Sequence, residues 1–253
     1  MVEVLGSGVG VLLIVFAGIA HPTVAQSPDT TERSTHVAGA VTLTNKGISL
    51  LPALTLGKPA GILDVAIWRG GLSFEPQFRV ALEGKPWSFI FWLRYRSPSD
   101  RKLHLVVGAH PALVFRTITD SIGGAPREMI VVRRYLASEV NPSYAVTRNL
   151  DLGLYYLYSN GVDTDAIQNT HFIAARANLH YFNLARDYTI QFAPQLYYLF
   201  MDGEDGVYVS SALTLGNRKI PISISTLLND PLHSTLVGGQ DFIWNVSVTY
   251  SLR

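Results

Sequence analysis

The last stretch of the chain alternates between apolar and polar side chains over eleven residues, 242–252. Phe242, Trp244 and Tyr250 share one face with aliphatic residues, whereas small polar residues such as Asn245 occupy the other. Successive side chains of a β-strand point to opposite faces, so the pattern predicts a strand with one apolar and one polar face. Its length and its aromatic residues near both ends are typical of a strand that crosses a bilayer.

The same alternation recurs along most of the chain, and thirteen segments show it. Single-chain bacterial barrels have even strand numbers, so one of these segments is not a strand. Segment 36–45 alternates weakly and is left out. The fold class is therefore predicted as all-β, an antiparallel up-and-down transmembrane β-barrel within 36–253, with about 12 strands and 14 as the alternative count. The predicted strands are 48–56, 61–69, 72–83, 87–96, 102–117, 128–146, 150–158, 171–182, 188–200, 207–215, 220–228 and 242–252.

Connections between these segments alternate in length, and bacterial barrels have short periplasmic turns and longer external loops. The longer connections 118–127, 159–169 and 229–241 are therefore expected outside the cell. Proline cannot donate to a strand ladder. Because prolines recur on the apolar face of strong segments, we expect local bulges there and unbroken strands: Pro76, Pro111, Pro142 and Pro194.

The N-terminus has the features of a secretory signal peptide. Residues 8–20 form an apolar stretch of the right length, and Ala25 is the expected cleavage residue, so 1–25 is predicted as signal peptide. Glu3 and the lack of Lys or Arg before the apolar stretch are unusual for such a segment. A membrane anchor helix is the alternative, but thirteen residues are short for one. Residues 26–35 are polar and are predicted to be a flexible N-terminal segment.

The polar face of the predicted strands supplies the candidate functional residues. Mixed charges of this kind either line a water-filled channel or form ion pairs that block a narrow lumen. Bulky residues such as Trp92, Tyr155 and Leu199 fall on the same face, which favours a narrow or occluded lumen. The predicted lumen-lining residues are Glu75, Gln77, Arg79, Arg94, Arg96, His104, His110, Arg116, Glu139, Asp151, Arg176, Asn178, His180, Gln191 and Gln195.

No catalytic or metal-binding pattern stands out in the sequence. His233 and Ser234 are adjacent, but nothing around them matches the signature of a lipid hydrolase, and short motifs often match by chance. Asp163 and Asp165 lack the glycine and glutamate of a Ca²⁺ loop. No phosphate loop, dinucleotide fingerprint or nucleophile elbow occurs. We therefore expect no enzyme activity, no catalytic residues, no metal and no cofactor.

Composition and charge exclude several other classes of structure and function. The 253 residues include no Cys, which excludes disulfides and thiol catalysis. Mean hydropathy is +0.21, yet no apolar run long enough for a helical span lies outside the N-terminus. The formal net charge of +1 implies no strong attraction to nucleic acid.

Three segments resemble a known family: EGKPWSFIFWLRY at 83–95, RRYLASEVNPSY at 133–144 and LGLYYLYSNG at 152–161. They are similar to an uncharacterised family of outer-membrane β-barrel proteins from the Bacteroidota, over about 36–252. The resemblance implies a signal peptide and a barrel in the cell outer membrane. It brings no catalytic or ligand-binding residues.

Function is less determined than architecture. We expect a narrow, porin-like channel or a binding barrel for small solutes in a Gram-negative envelope. The alternatives are a structural barrel that anchors another envelope component and, third, a membrane lipid hydrolase. The expected partners are outer-membrane lipid and, during insertion, the barrel-assembly machinery, with no nucleic acid.

Overall fold

A computed structural model describes residues 34–98, 102–122, 125–185 and 187–252. The predicted signal peptide and nearly all of the predicted flexible segment 26–35 lie outside these residues. Among the described residues, no helix is long and apolar enough to cross a membrane. The elements are β1 (His36–Thr44), a 3-10 helix (Pro52–Leu54), β2 (Ala60–Arg69), β3 (Leu72–Ala81), β4 (Pro86–Arg96), β5 (Leu103–Ile122), β6 (Ala125–Thr147), β7 (Leu150–Gly161), β8 (Asn169–Ala185), β9 (Tyr188–Met201), β10 (Glu204–Asn217), β11 (Ile222–Ser234) and β12 (Ile243–Leu252).

The twelve strands form one closed antiparallel barrel in chain order, with β1 paired to β12. This pairing runs from Gly39 opposite Leu252 to Thr44 opposite Ser247. The predicted fold class and strand number are confirmed. Short connections such as 70–71, 148–149 and 218–221 lie at one end, the turn end. The connection 45–59 and the β7–β8 and β11–β12 connections lie at the other, the loop end.

The choice of which weak segment to leave out was wrong. Segment 36–45, left out of the prediction, is β1, and it pairs with both β2 and β12. Segment 48–56, predicted as a strand, is part of the connection between β1 and β2 and contains the 3-10 helix. Its buried Ile48 and Leu50 pack against apolar side chains inside the barrel. A cluster inside the lumen therefore explains an apolar pattern that resembled a lipid-facing strand.

Two predicted boundaries also change. The β5–β6 hairpin is longer than predicted, because its strands remain paired up to Ile122 opposite Ala125, whereas β4 pairs with β5 only as far as Val114. The predicted external loop 229–241 is shorter, since β11 continues to Ser234.

The prolines interrupt pairing without shifting it, so the prediction of bulges at these positions was wrong. Beside Pro76, pairing between β2 and β3 stops after Asp64 opposite Gln77 and resumes at Ile67 opposite Phe74, in the same register. The other neighbour, β4, pairs without interruption across the proline. Loss of one N–H donor thus removes pairing on one side only, which leaves the strand unbroken. The same arrangement occurs at Pro111, Pro142 and Pro194.

The outer surface of the barrel is an apolar belt bordered by aromatic residues. On β9, Tyr188 and Tyr198 both point outward and are exposed. The ten residue steps from one to the other correspond to about 33 Å of strand, or about 25 Å along the barrel axis at the usual tilt. That height matches the apolar band of an outer-membrane barrel. At the loop end the Tyr198 hydroxyl donates to Asp205 at 2.9 Å, as expected of a tyrosine at a membrane interface.

Candidate functional site

The lumen collects most of the polar residues predicted to line it. Glu75, Arg96 and His104 are partly exposed near the turn end. Arg116 does not line the lumen as predicted, because it is exposed on the part of β5 that extends beyond its pairing with β4. The buried members of the set are Gln77, Arg79, Arg94, His110, Glu139, Asp151, Arg176, Asn178, His180, Gln191 and Gln195.

Arg94 is the centre of a buried charge network. Its guanidinium contacts Glu75 at 2.5 Å and Glu139 at 2.6 Å. The Tyr155 hydroxyl donates to the second oxygen of Glu139 at 2.8 Å, and Arg96 contacts the second oxygen of Glu75 at 2.6 Å. Both carboxylates therefore have a partner for each oxygen. Buried charges persist when they are paired in this way.

Gly108 makes the network possible. Arg94, Gly108 and Glu139 are opposite one another on β4, β5 and β6, so the glycine lies between the two charged residues. A Cβ atom at Gly108 would lie 2.9 Å from Cγ of Arg94 and 3.1 Å from Oε1 of Glu139. The absence of a side chain lets the guanidinium reach across β5.

We expect Gly108→Ala to destabilise the barrel by about 1–3 kcal/mol, because the added methyl group displaces Arg94 from its carboxylates. Gly61→Ala is the matched control, since its Cβ would make only ordinary contacts, the nearest at 3.7 Å from Leu43. Urea unfolding of both variants in lipid vesicles measures the difference. Equal stability of the two variants would contradict this role for Gly108.

Further along the lumen, amide and aromatic side chains hold the remaining charges. Gln77 donates to Asp64 and accepts a hydrogen bond from Nε of Arg79 at 2.7 Å, so it bridges the two charges. The Arg79 guanidinium also lies over the ring of Trp87, at 4.9 Å. These contacts position Arg79 beside a carboxylate and an aromatic ring.

Two more polar contacts lie on β6, β7 and β8. Arg176 donates to Asn141 at 3.3 Å and lies over the Tyr155 ring at 4.1 Å. His180 contacts Asp151 at 2.8 Å. Together with the Arg94 network, these contacts fill the lumen beside β2–β9 with side chains that bind one another. The inward charges thus form ion pairs, one of the two arrangements that the sequence left open.

The loop end of the lumen is closed by apolar packing. Segment 45–59 lies inside the barrel mouth, where Ile48 and Leu50 join a buried cluster that includes Tyr197 and Tyr208. The two tyrosine rings stack at 4.9 Å. Hydrogen bonds anchor the segment to the barrel wall: the Trp87 indole donates to the carbonyl of Leu54 at 2.8 Å, and the Asn245 amide donates to that of Lys46 at 3.2 Å.

The wall formed by β10, β11, β12 and β1 differs from the rest of the lumen. Most of its inward residues carry no charge and many bear hydroxyls, and we call it the hydroxyl wall. On β10–β12 exposure falls from the turn end to the loop end, whereas the inward residues of β1 are buried along nearly the whole strand. On β11, Ser223 and Ser225 are half-buried, whereas Leu227 is 2 % exposed and Asn229 3 %. The inward residues of the hydroxyl wall include Ala38, Ala40, Thr42, Thr44, Ser210, Ala212, Thr214, Ser223, Ser225, Leu227, Asn229, Asn245, Ser247, Thr249 and Ser251.

A cavity of about 60 Å³ lies between the hydroxyl wall and segment 45–59. Ile48 and Gly47 of that segment border it, and Arg79 and Trp87 border it from the opposite wall. Its hydroxyl-bearing lining includes Thr42, Thr44, Thr214, Ser225 and Ser247. The exposure gradient indicates that the lumen beside β10–β12 is more open toward the turn end than toward the loop end.

The external candidates make structural contacts. His233 is exposed, and the Ser234 hydroxyl lies 2.6 Å from that of Tyr208. Asp163 contacts Arg134 at 2.5 Å. Hydrogen bonds from the Arg134 side chain and backbone hold the pKa of Asp163 below its ordinary value. Among the described residues, no three His, Asp or Glu side chains are grouped to hold a metal ion.

Sequence reasoning missed three components of this site. Period-2 alternation identified inward polar residues, but it placed 48–56 in the wall. Gly108 gave no signal, because its role depends on cross-strand register. The hydroxyl wall was visible as Ser and Thr at alternate positions of 220–228 and 242–252, and the contrast with the charged strands could have revealed it.

No protein-family model matches the chain, and the comparison with curated proteins found no match. Solved structures share the fold. An outer-membrane channel from Pseudomonas putida F1 is similar with a TM-score of 0.52 and 11% identity, over 85% of this chain and 94% of that one. The KdgM porin is similar with a TM-score of 0.51 and 10% identity, over 87% of this chain and all of that one, and its complex with disordered oligogalacturonate gives 0.50. The chain thus has the closed-barrel fold of outer-membrane proteins.

Proposed function

We propose that this protein is an outer-membrane β-barrel that provides a narrow, gated path for small solutes. The observation that carries the proposal is the exposure gradient along β10–β12 of the hydroxyl wall. It describes a polar lumen that is more open toward the turn end than beneath segment 45–59. In a bacterial barrel the short turns face the periplasm, so the closed end faces outward.

Placement in the outer membrane is part of the proposal. The apolar belt has the height of an outer-membrane span, and its aromatic borders are typical of such barrels. Two barrels with the same fold are described as a porin and as an outer-membrane channel, which supports transport as the class of function. The resemblance to the Bacteroidota family remains a prediction.

One observation favours a second candidate, a closed barrel that anchors or binds another envelope component. Ion pairs and aromatic rings occupy the lumen beside β2–β9, so transport requires segment 45–59 to move. We retain the prediction that the protein is not an enzyme. The Ser234 hydroxyl is engaged with that of Tyr208, and His233 is exposed on the loop side.

Removal of the closing segment tests the proposal. Thr44 and Ala60 are directly opposite each other, so a four-residue Gly-Ser turn can replace 45–59 without disturbing β1 or β2. We expect a several-fold higher single-channel conductance for this variant than for the parent in planar bilayers, because the segment closes the loop end of the hydroxyl-lined lumen.

The control places the same turn in another hairpin at the same end. Thr119 lies opposite Glu128, so the turn can replace 120–127 and leave the lumen unchanged. We expect parental conductance for this control. Heat-modifiable gel mobility shows that all proteins have folded. If neither the parent nor the variant without 45–59 conducts above the lipid baseline, the transport proposal is wrong and the closed-barrel candidate is favoured.

A further inference from the structure

We propose that the cavity beneath segment 45–59 is a binding site for a small neutral polyol of about the size of glycerol. The inference rests on the proposed function, because it assigns the site at which a solute pauses on the path. It names a substrate class that neither the fold nor the sequence pattern assigns. Four properties of the cavity support this assignment: its volume, its hydrogen-bonding groups, its charge and its access from the turn end.

The volume sets the size of the occupant. One water molecule needs roughly 10–15 Å³ of such space, so a cavity of about 60 Å³ holds about four to six water molecules. A three-carbon polyol with about six non-hydrogen atoms has a similar extent. A hexose is about twice that size and does not fit without movement of the segment above.

The hydrogen-bonding groups suit an occupant that carries hydroxyls. Thr214, Ser225 and Ser247 present hydroxyl groups, which both donate and accept hydrogen bonds. Water leaves such a site at little cost only if the occupant replaces its hydrogen bonds. Trp87 and Ile62 provide an apolar surface on the other side. A polyol matches both surfaces, with hydroxyls toward one and carbon-bound hydrogens toward the other.

Charge favours a neutral occupant over an anion. Among the described residues that line this cavity, Arg79 is the one that carries a charge, and none is a carboxylate. The charge of Arg79 is already opposed by Asp64, to which Gln77 connects it. An anion would compete with Asp64 and would lose its hydration, which is costly in a small buried site. The guanidinium therefore acts here as a hydrogen-bond donor.

Access comes from the turn end. Ser225 borders the cavity and Ser223 lies two residues closer to the turn end on the same strand face. Both are half-buried, whereas Leu227 on the loop side is almost fully buried. A solute that enters from the turn end passes Ser223 before it reaches Ser225. This order supplies a matched pair of positions for a test.

The chain contains no Cys, so a single introduced cysteine reports on one position. Ser225→Cys places a thiol in the cavity, and Ser223→Cys places one outside its lining. The rate of reaction with a small water-soluble methanethiosulfonate reagent is measured on refolded protein in detergent, with and without glycerol. We expect glycerol to slow the reaction at position 225 several-fold more than the reaction at position 223. The rate at position 223 serves as the reference, because the viscosity of glycerol slows both reactions equally.

Two further solutes test the substrate class. Lactate has a similar size but is an anion, and 1-propanol has the same carbon chain with one hydroxyl. We expect both to protect position 225 less than glycerol does. Equal glycerol effects at the two positions would overturn the site, and stronger protection by lactate would overturn the neutral class. A thiol at position 225 that does not react without solute, when 223 reacts, would overturn the proposed access.

This test does not depend on transport. Protection in detergent with no conductance in bilayers would leave the binding site standing and reject the path. Conductance in bilayers without protection by glycerol would support the path and reject the binding site. The two proposals can therefore fail separately.

Discussion

Glu139→Ala is expected to destabilise the barrel by about 3–5 kcal/mol, the usual cost when one partner of a buried ion pair is removed. Glu139 is 2 % exposed and accepts hydrogen bonds from both Arg94 and Tyr155. Without it, the Arg94 guanidinium keeps Glu75 as its carboxylate partner, and the Tyr155 hydroxyl loses its acceptor. Urea unfolding in lipid vesicles measures the free energy of unfolding.

The control for this variant is Glu128→Ala. Glu128 contacts Lys85 at 2.8 Å, but its side chain is 64% exposed. Exposed pairs contribute about 0–1 kcal/mol, so this loss should be small. Similar losses for the two variants would show that the lumen is hydrated enough to screen its charges, and the packed network would then be wrong.

Phe78→Arg is expected to reduce insertion and to cost about 2–4 kcal/mol, the penalty for a cation on the lipid face near mid-membrane. Phe78 points outward near the middle of the belt, between the rings of Phe89 at 5.3 Å and Phe91 at 5.9 Å. The substitution removes these edge contacts and places a guanidinium in hydrocarbon. Refolding yield in lipid vesicles, followed by gel mobility, measures the effect.

The structure changes which inward position is the suitable control for Phe78→Arg. Alternation alone suggests its inward neighbour Gln77, because lumen positions usually tolerate charge. Gln77 is nevertheless 6 % exposed and lies between Asp64 and Arg79, so an arginine there would meet a like charge in a filled site. Ser223→Arg is the better control, because the lumen is wider there and a long side chain can reach water. Equal refolding of Phe78→Arg and Ser223→Arg would contradict the assignment of faces.

Closure of the lumen has two components with different physical character. Ion pairs beside β2–β9 resist opening, because separation of buried charges is costly. Segment 45–59 is held by apolar packing and a few hydrogen bonds to its backbone, which are weaker individually. We therefore expect the segment to be the component that moves while the barrel remains intact. This difference is why the conductance experiment removes 45–59.

The sequence alone determined which side chains of the barrel strands face outward and which face inward. Side chains of a strand alternate with period two, and water inside with lipid outside imposes that period on each strand separately. The lipid-facing surface and the inward polar residues of most strands therefore followed from local pattern, whereas the strand number also needed the rule that such barrels have even counts. The positions of Phe78 outward and Arg94 inward needed no knowledge of any other strand.

Only the tertiary structure decided which side chains fill the lumen inside this wall. Segment 48–56 is apolar because it packs inside the loop end, and an apolar lumen cluster leaves the same pattern as a lipid face. The contacts of Arg94 with Glu75 and Glu139 depend on register across β3 to β6, and Gly108 matters only because it lies between two charged residues. Pairing partners, the closing segment and the cavity arise from contacts between distant parts of the chain, and alternation within one segment carries no information about them.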